Sequence, residues 1–205
     1  DINTVFQRAL GSDIARRLLP FGIDLSDQGM NQRYCARAHI DGSATVDLKN
    51  ASNRVLLFPV IQSFPDDWSE MFLTLREPYG TFETRNDVLS KGASTAEWFE
   101  YAMLSSMGNG FTFEVETVLF FAICKACGAE DYEICVYGDD IIVPQRIVDT
   151  LIPVLSVFGL EVNTLKSFTS GTFFESCGAY YFHGVDVTPF KIKDLLDGPK
   201  DCIIL

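Results

Sequence analysis

The stretch that most constrains the fold runs from Cys135 to Val143, where apolar residues flank the tripeptide Gly138-Asp139-Asp140. Apolar runs on both sides of a turn-forming Gly-Asp predict a β-hairpin with its turn near Gly138 and Asp139. Two adjacent carboxylates would then lie at the tip of the hairpin. Like charges this close repel each other, and burial raises that cost. A divalent cation such as Mg²⁺ or Mn²⁺, which prefers carboxylate oxygens, would neutralise them.

The alternative interpretation of the pair is a solvated turn, because Asp and Gly are common turn residues. A second acidic pair, Asp66-Asp67, follows Pro65 at a predicted helix start, where the helix dipole stabilises acids. There the structural interpretation is favoured, so a pair alone does not define a site. Asp47 is a candidate third carboxylate, because it lies in a predicted strand at 44–48 although Asp is disfavoured in strands. If that strand neighbours the hairpin, the three carboxylates suit two divalent cations about 4 Å apart.

Hydrophobic periodicity and turn residues predict a chain of mixed helices and strands. The predicted helices are 3–19, 29–38, one from Ala51 that Pro59 kinks or ends, one from Pro65, 96–104, 111–126 and 146–158. Besides the central hairpin, the predicted strands are 44–48, a short one at 81–85, and a second hairpin of 172–175 and 178–182. The stretch 108–110 opens a helix, and its glycines either let backbone approach a ligand or form a plain helix–helix turn.

The charge and the cysteines limit the function classes. The formal net charge is −12, which argues against a generic nucleic-acid-binding surface. Residues 1–42 hold five Arg and five Asp, so residues 43–205 carry the negative charge. No apolar run reaches the roughly 18 residues of a membrane-spanning helix. The six cysteines lack a secreted spacing pattern and are predicted to be reduced thiols of a cytosolic protein, with a zinc site at Cys124 and Cys127 disfavoured. Both ends of the chain suggest a fragment of a longer protein.

Five motifs, taken in order, resemble the palm motifs A to E of viral RNA-dependent RNA polymerases. They are 44–52 around Asp47, 106–114, 137–140, 158–166 and 175–178. Within that group the chain resembles in particular the replicase β subunit of positive-strand RNA bacteriophages, the Qβ-like leviviruses. Residues 22–32 and 184–189 also resemble that family, and the resemblance covers nearly residues 20–193. Five motifs in order are far more specific than any single one.

The resemblance implies an α+β polymerase palm, with a central antiparallel sheet flanked by helices, at residues 43–193. It implies a helical segment from the end of the fingers at 1–42, and the truncated start of a thumb or a C-terminal tail at 194–205. The implied function is template-directed RNA synthesis by a two-metal mechanism, with nucleotidyl transfer from ribonucleoside triphosphates to an RNA 3′ end. This would replicate a viral RNA genome in the cytoplasm of an infected bacterial host, without a membrane. The family also uses the host translation elongation factors Tu and Ts.

Site residues carry over from the same resemblance. Asp47 and Asp139 would bind two Mg²⁺ ions, for which Mn²⁺ can substitute, and Asp140 would assist. Lys166 matches a lysine proposed in related polymerases to protonate the leaving pyrophosphate. The implied nucleotide- and RNA-binding residues are Ser52, Asn53, Gly108, Asn109, Gly110, Thr112 and, as a weaker assignment, Arg16 and Arg17. The residues implied to support the primer end are Glu175, Ser176, Cys177 and Gly178.

The chain departs from the family pattern near the expected ribose site. Asn53 stands where these phage enzymes usually carry Asp, and Glu116 stands where many other viral polymerases carry Asn. A reverse transcriptase is the alternative enzyme, but it would need an aromatic residue near Ser52 to exclude the ribose 2′-OH. An acidic structural domain is the alternative that is not an enzyme. We also expect the 205-residue chain to be inactive by itself, because most of the fingers and thumb are missing.

Overall fold

The structure is a computed structural model that describes residues 2–84, 95–105 and 108–190. Within these residues the chain is α+β, as the sequence predicts. The helices are α1 Ile2–Leu18, α2 Gly29–Asp41, α3 Ala51–Arg54, α4 Leu57–Ser63, α5 Asp66–Leu75, α6 Thr112–Ala126 and α7 Val148–Val157. The strands are β1 Ser43–Val46, β2 Tyr79–Thr84, β3 Thr95–Glu100, β4 Cys135–Tyr137, β5 Asp140–Pro144, β6 Phe173–Ser176, β7 Ala179–Phe182 and β8 Val185–Asp186. None of the helices described is long and apolar enough to cross a membrane.

A three-stranded antiparallel sheet in the order β1-β5-β4 lies at the centre and confirms the predicted hairpin. Its middle strand is buried on both faces, which explains why it is a continuous apolar run rather than an alternating one. Ile141 and Val143 face the main core, and Ile142 faces a second, smaller core. The sheet is therefore a rigid platform, and its ends are the places where polar groups can emerge.

Helices and a second sheet cover the two faces of this platform. α6 belongs to the main core and is apolar around most of its circumference, as is typical of a helix that is buried on several sides. α2 and the three-stranded sheet β6-β7-β8 cover the other face, where Cys35, Ala38 and Phe174 pack beside Ile142. Both layers bring polar residues to the edge where β1 ends and β5 begins.

The predicted helix at 96–104 is wrong, because residues 95–100 form β3 and pair antiparallel with β2. The segment contains Trp98 and Phe99, and aromatic residues favour strands. Phe99 lies opposite Gly80, where a side chain would collide with the rings of Phe99 and Tyr101. The long-range pairing thus overrides the local helical spacing, which carries no information about a partner strand.

The helix predicted from Ala51 is interrupted earlier than expected. Val55 and Leu56 are extended and separate α3 from α4. Pro59 lies in the first turn of α4, where its missing N–H costs no intrahelical hydrogen bond. At the break, backbone groups bond to a distant segment instead of within a helix: the Leu57 N–H donates to the Ala102 carbonyl, and the Val55 carbonyl accepts from the Leu104 N–H.

The predicted segment at 194–205 lies outside the described residues.

Candidate active site

The tip of the central hairpin is a two-residue turn made by Gly138 and Asp139, between the paired residues Tyr137 and Asp140. Gly138 has a φ of 60°, which L side chains rarely adopt. A Cβ atom there would lie 2.2 Å from Phe113 Cε2 on α6. The Gly138 N–H donates to Thr117 Oγ1 at 3.0 Å, so the turn is also bonded to α6. Glycine is therefore required for the turn and for close packing of the helix behind it.

The structure brings the three predicted aspartates to one edge of the sheet. Val46 pairs with Ile141, so Asp47 leaves β1 at the same edge where Asp140 enters β5. Burial raises the pKa of the Asp139 carboxyl, and the nearby Asp140 and Asp47 carboxylates raise it further. Lys166 acts in the opposite direction on the same group. This edge is a half-buried site of concentrated negative charge, in which Asp139 is held above its usual pKa.

Lys166 is the cation that reaches this edge. Its Nζ lies 3.7 Å from Asp47 Oδ2, and the Asp47 carboxylate raises the pKa of Lys166. The chain around it is fixed to the end of β1, because the Asn163 N–H donates to the Asp47 carbonyl at 2.8 Å. Ser167 Oγ accepts a hydrogen bond from the Asp47 N–H at 3.0 Å. The lysine remains 60% exposed, so it is charged at neutral pH and accessible from solvent.

Asp140 is held by contacts on its far side from Asp139. Ser176 Oγ donates to Asp140 Oδ1 at 3.2 Å, and Asn31 Nδ2 donates to the Asp140 carbonyl at 3.2 Å. Asn31 is 2% exposed and also accepts from the Cys135 thiol at 2.9 Å. Asn31 was not among the predicted site residues. Its role depends on a contact across more than a hundred residues of sequence, which no local pattern reveals.

The four predicted primer-support residues lie at the end of β6, with Glu175 and Ser176, and in the turn to β7, with Cys177 and Gly178. Cys177 and Gly178 both have positive φ, as a tight hairpin turn of this kind requires. Glu175 is 8% exposed and accepts from the Gly178 N–H at 3.3 Å; burial raises its pKa, and the nearby Asp140 adds to this. The turn therefore lies beside Asp140, and Ser176 links the two directly.

Glu116 is a buried acid behind the edge, with a side chain 3% exposed. Its pKa is raised to about 8, chiefly by burial and also by the nearby Asp139 carboxylate, against a hydrogen bond from Ser52 that lowers it. None of the described residues bonds to its Oε1. Ser52, on α3, is thus bonded to Glu116 of α6, whereas the neighbouring Asn53 is exposed. The structure thus links Ser52, one of the two residues predicted near the ribose, to Glu116. In the sequence, Glu116 stood out only as a difference from other viral polymerases.

The glycine-rich segment before α6 packs against α1. A Cβ on Gly110 would lie 2.9 Å from the Arg8 backbone nitrogen, and the Gly110 N–H donates to Gln7 Oε1 at 3.3 Å. Gly110 therefore permits close contact between protein segments. Gly108 is exposed with a φ of 97°, and the Asn109 Nδ2 is buried without a partner among the described residues. Thr112 is buried and hydrogen-bonds to Ser105, at the base of the segment.

The two predicted arginines of α1 have contacts elsewhere. Arg16 and Arg17 both form ion pairs with Asp13, and Arg17 lies 5.2 Å from the centre of the Trp68 ring. Trp68 belongs to α5, which packs against α1. Their role in nucleotide binding stays a prediction, since their recorded partners are not the three aspartates.

The donor chemistry of the edge fits a hard divalent cation. Its ligands would be carboxylate oxygens, and their mutual repulsion is the cost that a cation would relieve. In the part of the chain that the structure describes, no group of three or more His, Cys, Asp or Glu side chains is arranged to hold a metal ion. Binding would therefore require the three carboxylates to draw closer together.

Comparison with known proteins gives a consistent family. A family model described as RNA replicase, beta-chain matches residues 1–205. The chain is 40% identical over 208 residues to the RNA-directed RNA polymerase subunit beta of Escherichia virus Qbeta, covering 99% of this chain and 33% of that protein. It is 39% identical over 201 residues to the RNA-directed RNA polymerase beta chain of Escherichia phage MS2, covering 96% and 35%.

A third relative is the RNA-directed RNA polymerase beta chain of Enterobacteria phage fr, 40% identical over 197 residues and covering 94% of this chain and 34% of that protein. The chain thus spans about a third of the length of the curated relatives it matches. Among solved structures, a telomerase from Candida albicans superposes with a TM-score of 0.44 at 14% identity, covering 89% of this chain and 36% of that chain. That score is too low to establish a shared fold.

Proposed function

The chain belongs to the RNA replicase β-chain family, and from this membership we propose that it carries the catalytic centre of an RNA-directed RNA polymerase. In this proposal residues 43–193 are the polymerase palm and residues 1–42 come from the end of the fingers. The substrates are an RNA template and ribonucleoside triphosphates. The observation that carries the proposal is the convergence of Asp47 with the Asp139–Asp140 turn at one edge of the central sheet.

Asp47 and Asp139 would hold two Mg²⁺ ions, or Mn²⁺ in their place, with Asp140 in support. Bound there, the ions would lower the pKa of the attacking hydroxyl and stabilise the pentavalent phosphorus and the leaving pyrophosphate. Asp140 is oriented by the hydrogen bond that Ser176 donates to its Oδ1, as carboxylates in metal sites usually are. Burial and the neighbouring carboxylates raise the pKa of Asp139, so the protein itself leaves the charge of this residue under-compensated.

Lys166 would donate a proton to the leaving pyrophosphate. A general acid must be protonated before the reaction and must reach the leaving group. The ion pair with Asp47 satisfies the first condition, because it raises the pKa of Lys166. The second condition is supported by the 60% exposure of the side chain at the edge where the aspartates lie.

Ribose recognition is assigned to Ser52, supported by Glu116. A small polar residue leaves room for the 2′-OH that distinguishes RNA from DNA precursors and can hydrogen-bond to it. The hydrogen bond from Ser52 to Glu116 fixes the hydroxyl near Asp139. Asn53, Gly108 and Asn109 complete the proposed contacts with nucleotide and template, and the turn from Glu175 to Gly178 supports the primer end. The proposed setting is the cytoplasm of an infected bacterium, with host elongation factors Tu and Ts as partners.

The test is template-dependent ribonucleotide incorporation by the full-length protein that carries this sequence, with Mg²⁺ as the only divalent cation. We expect Asp139→Asn to lower the rate by roughly 10³-fold, because a ligand of the cations that would balance transition-state charge is lost. Asp66→Asn is the matched control, since it removes one carboxylate from an exposed acidic pair. Equal incorporation by Asp139→Asn and Asp66→Asn would refute the proposal. Synthesis of DNA in preference to RNA would favour the reverse-transcriptase alternative.

A further inference from the structure

A large cleft opens at the end of the central sheet opposite to the aspartates. Its volume is about 740 Å³, and its floor is made by Gly42, Ser43 and Pro144, where β1 begins and β5 ends. This floor is preformed, because the Gln145 N–H donates to the Gly42 carbonyl at 2.9 Å and the Gln145 side chain donates to the Ser43 carbonyl at 3.2 Å. The backbone at this end of the sheet is therefore fixed by hydrogen bonds, and the cleft is separate from the candidate active site.

Three arginines line this cleft in a chain whose net charge is −12. Arg33 and Arg37 project from α2 one turn apart, about 6 Å along the helix axis. Arg146 lines the other side. Two acids, Asp41 and Glu133, also line the cleft, so its side chains sum to a charge of +1. The cleft thus gathers three cations in a protein whose overall charge is negative.

Each of these arginines is oriented by an acidic neighbour. Arg33 pairs with Asp27 at 2.8 Å, Arg37 with Asp41 at 3.3 Å, and Arg146 with Glu133. The arginine side chains are 65%, 70% and 53% exposed. The pairs of Arg33 and Arg37 are exposed and contribute little stability, typically below about 1 kcal/mol, so an incoming phosphate can replace the carboxylate at little cost. Arg146 is held more firmly, because both of its terminal nitrogens bond to Glu133. All three guanidinium groups are therefore positioned, and those of Arg33 and Arg37 are also available.

Two tyrosines in the same lining supply flat apolar surfaces. Tyr132 is 77% exposed and Tyr34 is 38% exposed, although neither position serves the core. Cationic groups that follow a backbone, interleaved with aromatic rings on which bases stack, are the usual means of binding single-stranded nucleic acid. An acidic peptide would use the arginines but would have no use for the rings.

We propose that this cleft, lined by Arg33, Tyr34, Arg37, Tyr132 and Arg146, binds a single-stranded RNA segment away from the catalytic edge. Phosphates contact the arginines and bases stack on the tyrosines. The cleft holds on to RNA that is not being copied at that moment. This role is independent of the assignment of the three aspartates.

The test uses the full-length protein with its active site first filled by a primer annealed to a template. A short oligouridylate that contains 4-thiouridine is then added, crosslinked by light and mapped by mass spectrometry. We expect crosslinks at Tyr132 and Tyr34. Without a crosslink at either tyrosine, the proposal fails.

Binding of the same oligouridylate, followed by fluorescence anisotropy, separates charge from stacking. Arg37→Gln is compared with Lys125→Gln, because each removes one cation held in a single exposed ion pair and only Arg37 lines the cleft. We expect Arg37→Gln to reduce the salt dependence by about 0.7 in log–log slope, and Lys125→Gln to leave it near wild type. Tyr132→Ala should weaken binding roughly tenfold. Equal effects of the two cation variants would overturn the proposal.

Polyglutamate serves as the competitor that distinguishes an acidic protein partner from RNA. We expect it to displace the oligouridylate poorly, because it cannot stack on the tyrosines. If polyglutamate competes as well as unlabelled oligouridylate and Tyr132→Ala has no effect, the cleft is a docking site for acidic protein and the RNA assignment is wrong.

Discussion

The same dipeptide, Asp-Asp, occurs twice in this chain in opposite settings. Asp66 and Asp67 are exposed in the first turn of α5, and Asp67 accepts a hydrogen bond from the Trp68 N–H at 3.0 Å. Their charge is balanced by water and by the helix dipole. Asp139 and Asp140 lie half-buried at the tip of a hairpin, where burial and a third carboxylate raise the pKa of Asp139.

The difference shows that the same Asp-Asp dipeptide can have quite different chemistry, because the fold determines the surroundings of each pair. The helix pair is complete as it stands, because every group that it needs is local. The hairpin pair depends on groups from distant segments of the chain, among them Ser176, Asn31 and Lys166. An acidic pair that the protein leaves under-compensated is a candidate for a cation or a substrate.

Of the two acidic pairs, the hairpin pair has Lys166 near it, and we expect the largest effect on activity from substitution of that residue. Lys166→Met should lower the rate of ribonucleotide incorporation by about 10³-fold, because it removes the proposed general acid. Lys166→Arg keeps a positive charge beside Asp47 but releases a proton far less readily, and should lose nearly as much. If Lys166→Arg retains wild-type rates in steady-state assays, Lys166 serves only as an ion-pair partner.

A second effect concerns the pH dependence of stability at Glu116. Its pKa is raised from 4.5 to about 8, so the folded state binds the proton more tightly than the unfolded state. Stability contributed by the protonated form is then lost as pH rises through that window. Between pH 4.5 and about 8 the free energy of unfolding of the wild type should therefore decrease. In Glu116→Gln this decrease should be smaller by something on the order of 3 kcal/mol, measured by urea unfolding with a chelator present. Equal pH profiles for wild type and Glu116→Gln would show that this acid is not strained by burial.

A third effect concerns the turn that presents the hairpin pair. Gly138→Ala and Gly22→Ala impose a similar backbone strain, since the two φ angles are 60° and 79°. Only the first introduces a collision, with Phe113. We expect Gly138→Ala to cost about 2 kcal/mol more in free energy of unfolding than Gly22→Ala. Similar costs would mean that α6 does not hold the turn.

The smallest effect is expected at Asn31, which positions the hairpin pair without touching substrate. Asn31→Ala should reduce kcat about tenfold and raise the Mg²⁺ concentration for half-maximal rate, because the Asp140 backbone loses its donor. The KM for nucleotide should change little. A change in KM alone, with kcat unaltered, would place Asn31 in substrate binding instead.

Much of this arrangement was predictable because its signals are local. The turn at Gly138, the strand that ends before Asp47 and the helix from Thr112 follow from glycine, apolar runs and periodicity. Five ordered motifs then predicted that distant segments meet, and the sheet order β1-β5-β4 places Asp47 beside the hairpin.

The remaining features depend on contacts that local patterns do not encode. β3 was predicted as a helix because its partner strand β2 is not visible in its own spacing. Asn31 and Thr117 act through side-chain hydrogen bonds to Asp140 and Gly138 of the hairpin, which lie 109 and 21 residues away in the sequence. The glycine at position 110 was predicted as a site for ligand approach or a turn, whereas the close approach of α1 explains it.

The central claim is that Asp47, which follows β1, and Asp139, in the turn between β4 and β5, together form the cation-binding site. Titration of the full-length protein with Mn²⁺, followed by electron paramagnetic resonance, tests it most directly. We predict that Asp47→Asn and Asp139→Asn each abolish the same tightly bound Mn²⁺, and that Asp66→Asn binds as wild type does. Wild-type Mn²⁺ binding by either Asp47→Asn or Asp139→Asn would contradict the account.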